Sequence, residues 1–369
     1  MGTYVDIHVI QSLPPSCVNR DDNGSPKSAL YGGVRRLRVS SQAWKRATRL
    51  AFAEVASNER LGRRTKRLVE LLERRIVELQ PELAEQARGL AEAAFDAAGI
   101  KLKVPKGKAD DAAKESGYLV FVSDQQLTRL AELACAAEDG KIDKKAAKRA
   151  FSEDSSIDIA LFGRMLADDA SLNVDAACQV AHALSTHAAE NEFDYFTAVD
   201  DEKHDAEEED AGAGMIGTVE FSSATLYRYA TINVGQLAQN LGTNGAAVDA
   251  VEAFASAFVR SMPTGKQNTF ANRTLPELVY VTVRSDQPIS LVGAFETAVR
   301  GTSGYVTASV EKLAQYAAKV ADVYGVAPEA QLVAGMAADG MHGLGETVPF
   351  PALLAALREA VEQRFPEES

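Results

Sequence analysis

The period of the apolar residues changes repeatedly along this chain, and that limits the folds open to it. Residues 3–11, TYVDIHVIQ, alternate with period two, placing Val5, Ile7 and Val9 on one face of a strand. From about Arg60 to Ala183 the chain becomes rich in Ala, Glu, Leu, Lys and Arg and takes a helical period, as in KRLVELLERRIVELQ and DQQLTRLAELACAAEDG. Strand character returns in FDYFTAV (193–199), TVEFSSATLYRYATINV (218–234) and ELVYVTVRS (277–285). Helical patterns follow in AAVDAVEAFASAFVRSM, LVGAFETAVR, SVEKLAQYAAKVADVYG and FPALLAALREAVEQRF. The fold class this predicts is α+β. A small antiparallel sheet with helices on one face is the simplest core, interrupted by a large helical insertion. SLPPSCVNRDDNGSP reads as a loop after the first strand, and the acidic run DDEKHDAEEEDAGAGMIG as the exposed tip of a long hairpin.

One stretch stands out chemically. Tyr31 to Arg49, YGGVRRLRVSSQAWKRATR, holds five arginines and one lysine and no acid. A Gly-Gly turn at Gly32 and Gly33 leads into a strand, with Arg36, Arg38 and Ser40 on one face and Arg35, Leu37 and Val39 on the other. Ser40 and Ser41 suit the N-cap of a helix. On that helix Gln42, Lys45, Arg46 and Arg49 fall at i, i+3, i+4 and i+7, while Trp44, Ala47 and Ala51 point toward a core. A helix N-terminus beside a cationic face is a site for phosphates.

The formal net charge of the 369-residue chain is −13, which argues against a protein that coats nucleic acid along its whole surface. A local track survives that objection, because exposed charges are screened beyond roughly 10 Å at ordinary salt. Cys17, Cys135 and Cys178 are far apart and form no Cys-x-x-Cys pair, so free thiols in a reducing compartment are expected. With no secretory pattern and no apolar run long enough for a bilayer, the expected location is the cytoplasm, away from membrane.

Other motifs fail on context. GAGMIG at 212–217 follows an acidic loop and precedes a strand pattern, which rejects a dinucleotide fingerprint. GKQNT at 265–269 lacks the first glycine of a Walker motif, since position 260 is Arg260. Its amides, with Lys266 and Gln267, could still meet a phosphate. No histidine falls in a metal-ligand spacing, so no cofactor and no metal is expected. Lys141, Lys144, Lys145, Lys148 and Arg149 give IDKKAAKRAF a broad cationic side. Tyr195 and Phe196, beside Val199, are aromatics that could stack on bases.

Long runs resemble a known family. IHVIQSLPPSCVNRDDNGSPKSALYGGVRRLRVSSQAWKRATR (7–49), IDIALFGRM (157–165), QVAHALSTH (179–187), FDYFTAVDD (193–201), GTVEFSSATLYRYATIN (217–233) and KQNTFA (266–271) are similar to CasC, the backbone subunit of the type I-E CRISPR Cascade surveillance complex. The resemblance implies an RRM-like (ferredoxin-like) antiparallel palm at 1–58 and 182–369, helical fingers at 59–181 and a hairpin thumb at about 190–228. It implies RNA-holding roles for Arg20, Lys27, Ser40, Gln42, Lys45, Arg46 and Arg49, a wedge of Met165, Tyr195, Phe196 and Val199, and contact of Lys144, Lys145 and Lys148 with target DNA. Tyr195 stands where the family often has Trp. The basic pair of a later loop is reduced to Arg300, with Thr302 in the other place. The acidic stretch 200–210 is expected to face away from the RNA.

The function expected is non-catalytic binding of a guide RNA (crRNA). Several copies would polymerise along the strand, kink it at intervals and present it to target DNA, with other Cascade subunits as partners. A rival reading is a metal-dependent endoribonuclease using Asp21, Asp22 and a histidine. A weaker third is a protein that self-assembles without nucleic acid.

Overall fold

The computed structural model describes residues 2–55, 61–109, 112–198 and 215–366. Strand β1 (Tyr4–Ser16) is followed by a hairpin of β2 (Ser28–Tyr31) and β3 (Val34–Val39) and by helix α1 (Ser41–Val55). The inserted region carries β4 (Gly62–Thr65), α2 (Leu68–Leu79), α3 (Ala87–Ala98), β5 (Leu102–Lys103), β6 (Glu115–Ser116), β7 (Val120–Ser123), α4 (Asp124–Cys135), α5 (Lys144–Ser152) and α6 (Ile157–Phe162). Then come β8 (Cys178–Val180), β9 (Ala183–Ser185), β10 (Glu192–Ala198), β11 (Met215–Asn233), α7 (Val234–Leu241), α8 (Asn244–Arg260) and the short α9 (Gln267–Phe270). The chain closes with β12 (Leu278–Arg284), α10 (Val306–Tyr324), β13 (Ala330–Ala334), β14 (Glu346–Thr347) and α11 (Phe350–Glu362).

The main sheet has ten strands, ordered β14-β13-β12-β1-β11-β9-β3-β2, with β8 and β10 also paired to β11. β1 lies at its centre, antiparallel to β11 from Tyr4↔Asn233 to Ser16↔Ser222 and to β12 from Tyr4↔Arg284 to Ile10↔Leu278. As the alternation requires, Val5, Ile7 and Val9 pack with Val248, Phe254, Leu353 and Leu357 beneath α8 and α11. The opposite face is buried as well, since Ile10, Tyr227, Tyr229 and Tyr280 pack against Val310, Leu313 and Ala314 of α10. The expectation of helices on one face is therefore corrected. It went wrong because Asp6 and His8 make that face read as solvent-facing, while both are buried.

Three further differences have local causes. β1 continues past Gln11, through Pro14 and Pro15, with a register shift between Leu13 and Ser16. A bulge tolerates prolines that a regular ladder would not. The expected helix at LVGAFETAVR is one short turn, Val292–Phe295. The inserted region has its own apolar cluster, including Leu72, Ile76, Phe95, Leu130 and Phe151, but also two small ladders, β4 with β7 and β5 with β6. The Gly32–Gly33 turn joins β2 to β3 with φ of +59° and +78°, and a Cβ on Gly32 would run into the Glu296 carbonyl. Only glycine serves there.

His8 is sealed among Tyr227, Tyr229 and Tyr280, with ring centroids 6.2, 5.1 and 5.5 Å away. The Tyr227 hydroxyl accepts from the Leu291 N–H and lies within hydrogen-bond distance, 2.9 Å, of His8 Nδ1. Burial, and then the charge of Arg284, push the imidazole pKa down to about 3. The folded state thus refuses a proton that the unfolded chain takes up below its ordinary value near 6.5. Stability falls as pH drops from there toward 3, by about 1.4 kcal/mol per unit. Asp6 has a raised pKa through burial and contributes with the opposite sign, so only a comparison isolates His8. Urea unfolding of wild type and His8→Asn between pH 7 and 4 should show a shallower acid loss in the variant. Equal slopes would mean that His8 is protonated in the native state.

Candidate nucleic-acid interface

The basic stretch forms the elements expected of it. Ser40 Oγ accepts the Ala43 N–H at 3.3 Å and caps α1. Trp44 and Ala47 turn inward, and Gln42, Lys45, Arg46 and Arg49 together line one cleft of about 930 Å³. The opposite wall comes from the inserted region: Arg64 of β4, Phe121 of β7, Phe162 and Met165. Met165 is 86% exposed, so the structure brings the expected wedge residue to the same cleft as the expected phosphate holders. The Lys45 ammonium sits 5.7 Å from the Phe162 ring centroid and the Arg49 guanidinium 5.3 Å from that of Phe121.

The electrostatics are one-sided. Arg49 is pushed down by burial, lifted by Asp158, and pushed down again by Arg64 and Arg46. Among the described residues, neither Lys45, Arg46, Arg49 nor Arg64 enters an ion pair, although Asp175 also lines the cleft. By contrast the arginines of the inserted region are mostly paired, as in Arg67–Glu70 and Arg129–Asp154. A cluster of four cations against two carboxylates, Asp158 and Asp175, neither of them ion-paired to it, is suited to an external anion. Arg64 was missed in the sequence, because it falls in the region from about Arg60 that takes a helical period. In the structure it stands on an edge strand paired to β7.

The other expected residues gather in two groups nearby in the chain's path. The Lys27 carbonyl accepts the Arg38 N–H at 2.8 Å. His182 Nδ1 accepts the Ser41 N–H at 3.2 Å and lies 3.3 Å from Arg38 Nη1. Burial, then Arg38 and Lys27, lower the His182 pKa, which keeps the ring neutral beside them. Arg20 and Lys266 both act on Cys17, opposing the rise that burial imposes on its thiol. Lys266 has a φ of +52° and starts α9, and Gly265 before it presses on the Val18 carbonyl, 2.4 Å from where a Cβ would stand. Gln267 is exposed on α9.

Some expectations change. Arg36 faces inward and is fully buried, donating to the carbonyls of Tyr31, Ser185, Thr186, Phe295 and Glu296. It belongs to the scaffold. Arg300 is exposed just after Val299, whose N–H bonds the Thr186 carbonyl, and lines no part of the α1 cleft. Lys141 precedes α5, where Asp143 is the N-cap, so it is not on the helix face with Lys145. Lys148 pairs with Asp169 at 2.6 Å, which leaves Lys144 and Lys145 as exposed cations that enter no ion pair among the described residues at the start of α5. On the β10–β11 hairpin, Tyr195 pairs with Thr218 and Phe196 with Gly217. Successive side chains leave on opposite faces. Tyr195 is 64% exposed, whereas the Phe196 ring lies over the Gly217 backbone. Val199 and the acidic stretch 200–210 lie outside the described residues.

Asp21 Oδ1 accepts the N–H groups of Asn23 and Ser25, so this carboxylate stabilises its own turn. Cys17 and Cys178 are buried and Cys135 half-buried, all three as free thiols. No described helix is long and apolar enough to cross a membrane.

A model of the family of CT1975-like proteins matches residues 5–356. The chain belongs to this family. It is also similar over its length to chains in two solved structures. One, "CRISPR RNA-guided surveillance complex, pre-nicking", is 36% identical with a TM-score of 0.84, covering 97% of this chain and 100% of that chain. The other, "CRISPR RNA-guided surveillance complex", is 31% identical with a TM-score of 0.74, covering 97% and 99%. No curated protein sequence matches.

The cationic neighbours of His182 give a direct check. Arg38→Gln should raise the His182 titration midpoint toward the ordinary imidazole value, followed by NMR of the ring protons. An unmoved midpoint would separate Arg38 from His182 in solution.

Proposed function

We propose that this chain is the guide-RNA-binding backbone subunit of a CRISPR surveillance complex of the type I-E Cascade kind, with no catalytic role of its own. The observation that carries the reading is the cationic cleft of Lys45, Arg46, Arg49 and Arg64, which enter no ion pair among the described residues, with Gln42 beside them and Met165 at its wall. Its chemistry suits a phosphodiester backbone, held by charge and therefore without regard to sequence. The similarity to surveillance-complex chains over nearly the whole length supports that context.

Within this reading β13, β12, β1 and β11, with α1 and α8 on one face, form the RRM-like palm. The inserted region is the fingers, and the β10–β11 hairpin is the thumb. Lys27, Arg38 and Ser40 extend the track at the start of α1, and Arg20, Lys266 and Gln267 extend it past Cys17. Tyr195 of one copy stacks on the strand held by the next, which kinks the RNA and leaves the bases between free for target DNA. Lys144 and Lys145 meet that DNA. The protein works in the cytoplasm, and cleavage belongs to another component. Asp21 Oδ1 is engaged by its own turn, so the ribonuclease reading would rest on Asp21 Oδ2 and on Asp22.

Fluorescence anisotropy with labelled single-stranded RNA tests this. Wild type should bind unrelated sequences alike, with an affinity that falls steeply with salt, by a log–log slope of about 0.7 per phosphate held. The double reversal Lys45→Glu, Arg46→Glu should weaken binding by roughly 100-fold or more and flatten the slope. Unchanged binding would remove the track. Magnesium-dependent cleavage of the RNA, lost on Asp22→Ala, would restore the enzyme reading.

A further inference from the structure

The cations of the main cleft differ in how firmly they are held. Arg46 is exposed on α1, whereas Lys45 and Arg49, four residues apart and so on one side of that helix, are half-buried. Both meet aromatic rings of the inserted region. The Lys45 ammonium lies 5.7 Å from the Phe162 ring centroid and the Arg49 guanidinium 5.3 Å from that of Phe121. Phe162 also packs on Phe52 of α1, with ring centroids 6.2 Å apart.

One turn before Phe162 on α6 stands Asp158. It is 1% exposed and enters no ion pair among the described residues. Its Oδ1 accepts the Gly62 N–H at 2.8 Å and the Ser156 hydroxyl at 2.6 Å. Burial raises its carboxyl pKa, and these two bonds and then the Arg49 guanidinium pull it back. Arg49 in turn is lowered by burial and lifted by Asp158. Asp158 and Phe121 are also neighbours of each other. A Cβ on Gly62 would stand 2.8 Å from the Phe121 ring and 3.2 Å from Asp158 Oδ1. Arg49 therefore borders an aromatic ring and a buried carboxylate that meet at the first residue of β4. Asp158 and Phe162, four apart on α6, match Arg49 and Lys45, four apart on α1.

We propose that Asp158 is a positioning residue of the track, which with Phe121 fixes the Arg49 guanidinium in place for a phosphate oxygen. The inference rests on the RNA-binding reading and extends it from the cations to what holds them. Asp158 is too deeply buried to reach the strand, so its effect passes through Arg49. A long side chain ordered in advance gives up less freedom when the phosphate arrives.

The sign of the effect separates this role from electrostatics alone. An anion beside the track repels phosphates, so charge by itself makes Asp158→Asn bind RNA more tightly. Positioning makes the same variant bind more weakly, by roughly three- to tenfold. Asparagine keeps an oxygen for the Gly62 N–H and the Ser156 hydroxyl and removes only the charge.

A double-mutant cycle, read by anisotropy with labelled single-stranded RNA at fixed salt, tests this. Asp158→Asn is measured in the wild-type, Arg49→Gln and Arg46→Gln backgrounds. The loss should appear in wild type and in Arg46→Gln, and vanish in Arg49→Gln. Phe121→Leu, which removes the ring but stays apolar, should follow the same pattern, and it decides the matter if Asp158→Asn does not fold. Equal or tighter binding by Asp158→Asn overturns the proposal. So does a loss from either variant that persists in Arg49→Gln, the mark of a general disturbance of the fold. Binding weakened by Arg49→Gln but not by Asp158→Asn leaves the track standing and removes the positioning role alone. Binding untouched by both Arg49→Gln and the Lys45→Glu, Arg46→Glu double variant overturns the track itself and this inference with it.

Discussion

Three buried guanidinium groups, those of Arg36, Arg164 and Arg228, donate to amide carbonyls with no ion-paired carboxylate among the described residues, and they hold the parts of this fold together. Arg228 of β11 is packed between Trp44 and Phe258, 3.7 and 4.4 Å from their ring centroids, and donates to Gln11 Oε1 and the Phe258 carbonyl. Burial lowers its pKa to about 9, so it stays charged at neutral pH. Arg36 ties the β2–β3 hairpin to Thr186 and Phe295, and Arg164 ties Leu172 to Phe121 and Phe151. A planar group with five donors can satisfy several carbonyls from different segments at once. Losing one leaves several acceptors unpaired, each costing about 1–3 kcal/mol. The same residue type therefore has two uses here, and burial separates them.

That division explains what could be read from the amino-acid order and what could not. The α1 face was legible, because Gln42, Lys45, Arg46 and Arg49 share one side at helical spacing and no acid interrupts them. Trp44 was legible as its buried counterpart. Arg36 was not distinguishable from Arg38 by alternation, since the two share a strand face and only tertiary packing decides that one is covered. Arg64 was hidden by a wrong period, as a four-residue edge strand inside a helical region gives no alternation long enough to detect. Asp158 gave no signal as a neighbour of Arg49, because that meeting is a property of surroundings brought together from distant parts of the chain.

The fold class followed from the changes of period, and the central strand from Val5, Ile7 and Val9. The second helical layer did not, because Asp6 and His8 read as exposed. Their polar groups are instead satisfied internally: Tyr229 and the Ile289 N–H serve Asp6, and Tyr227 serves His8. A polar face can thus be an interior face when tyrosine hydroxyls from the neighbouring strands reach it.

Strand β11 has a mechanical consequence. Its 19 residues run without a break from the exposed hairpin, past β1, to the start of α7. At strand rise it spans about 60 Å. Tyr195, paired to Thr218, and Arg228 beneath Trp44 are thus joined along one strand, whose ladder with β1 shifts register once, opposite Leu13–Ser16. A load on the hairpin reaches the root of the basic helix as leverage, and the length of a single strand sets how far the aromatic tip stands from it.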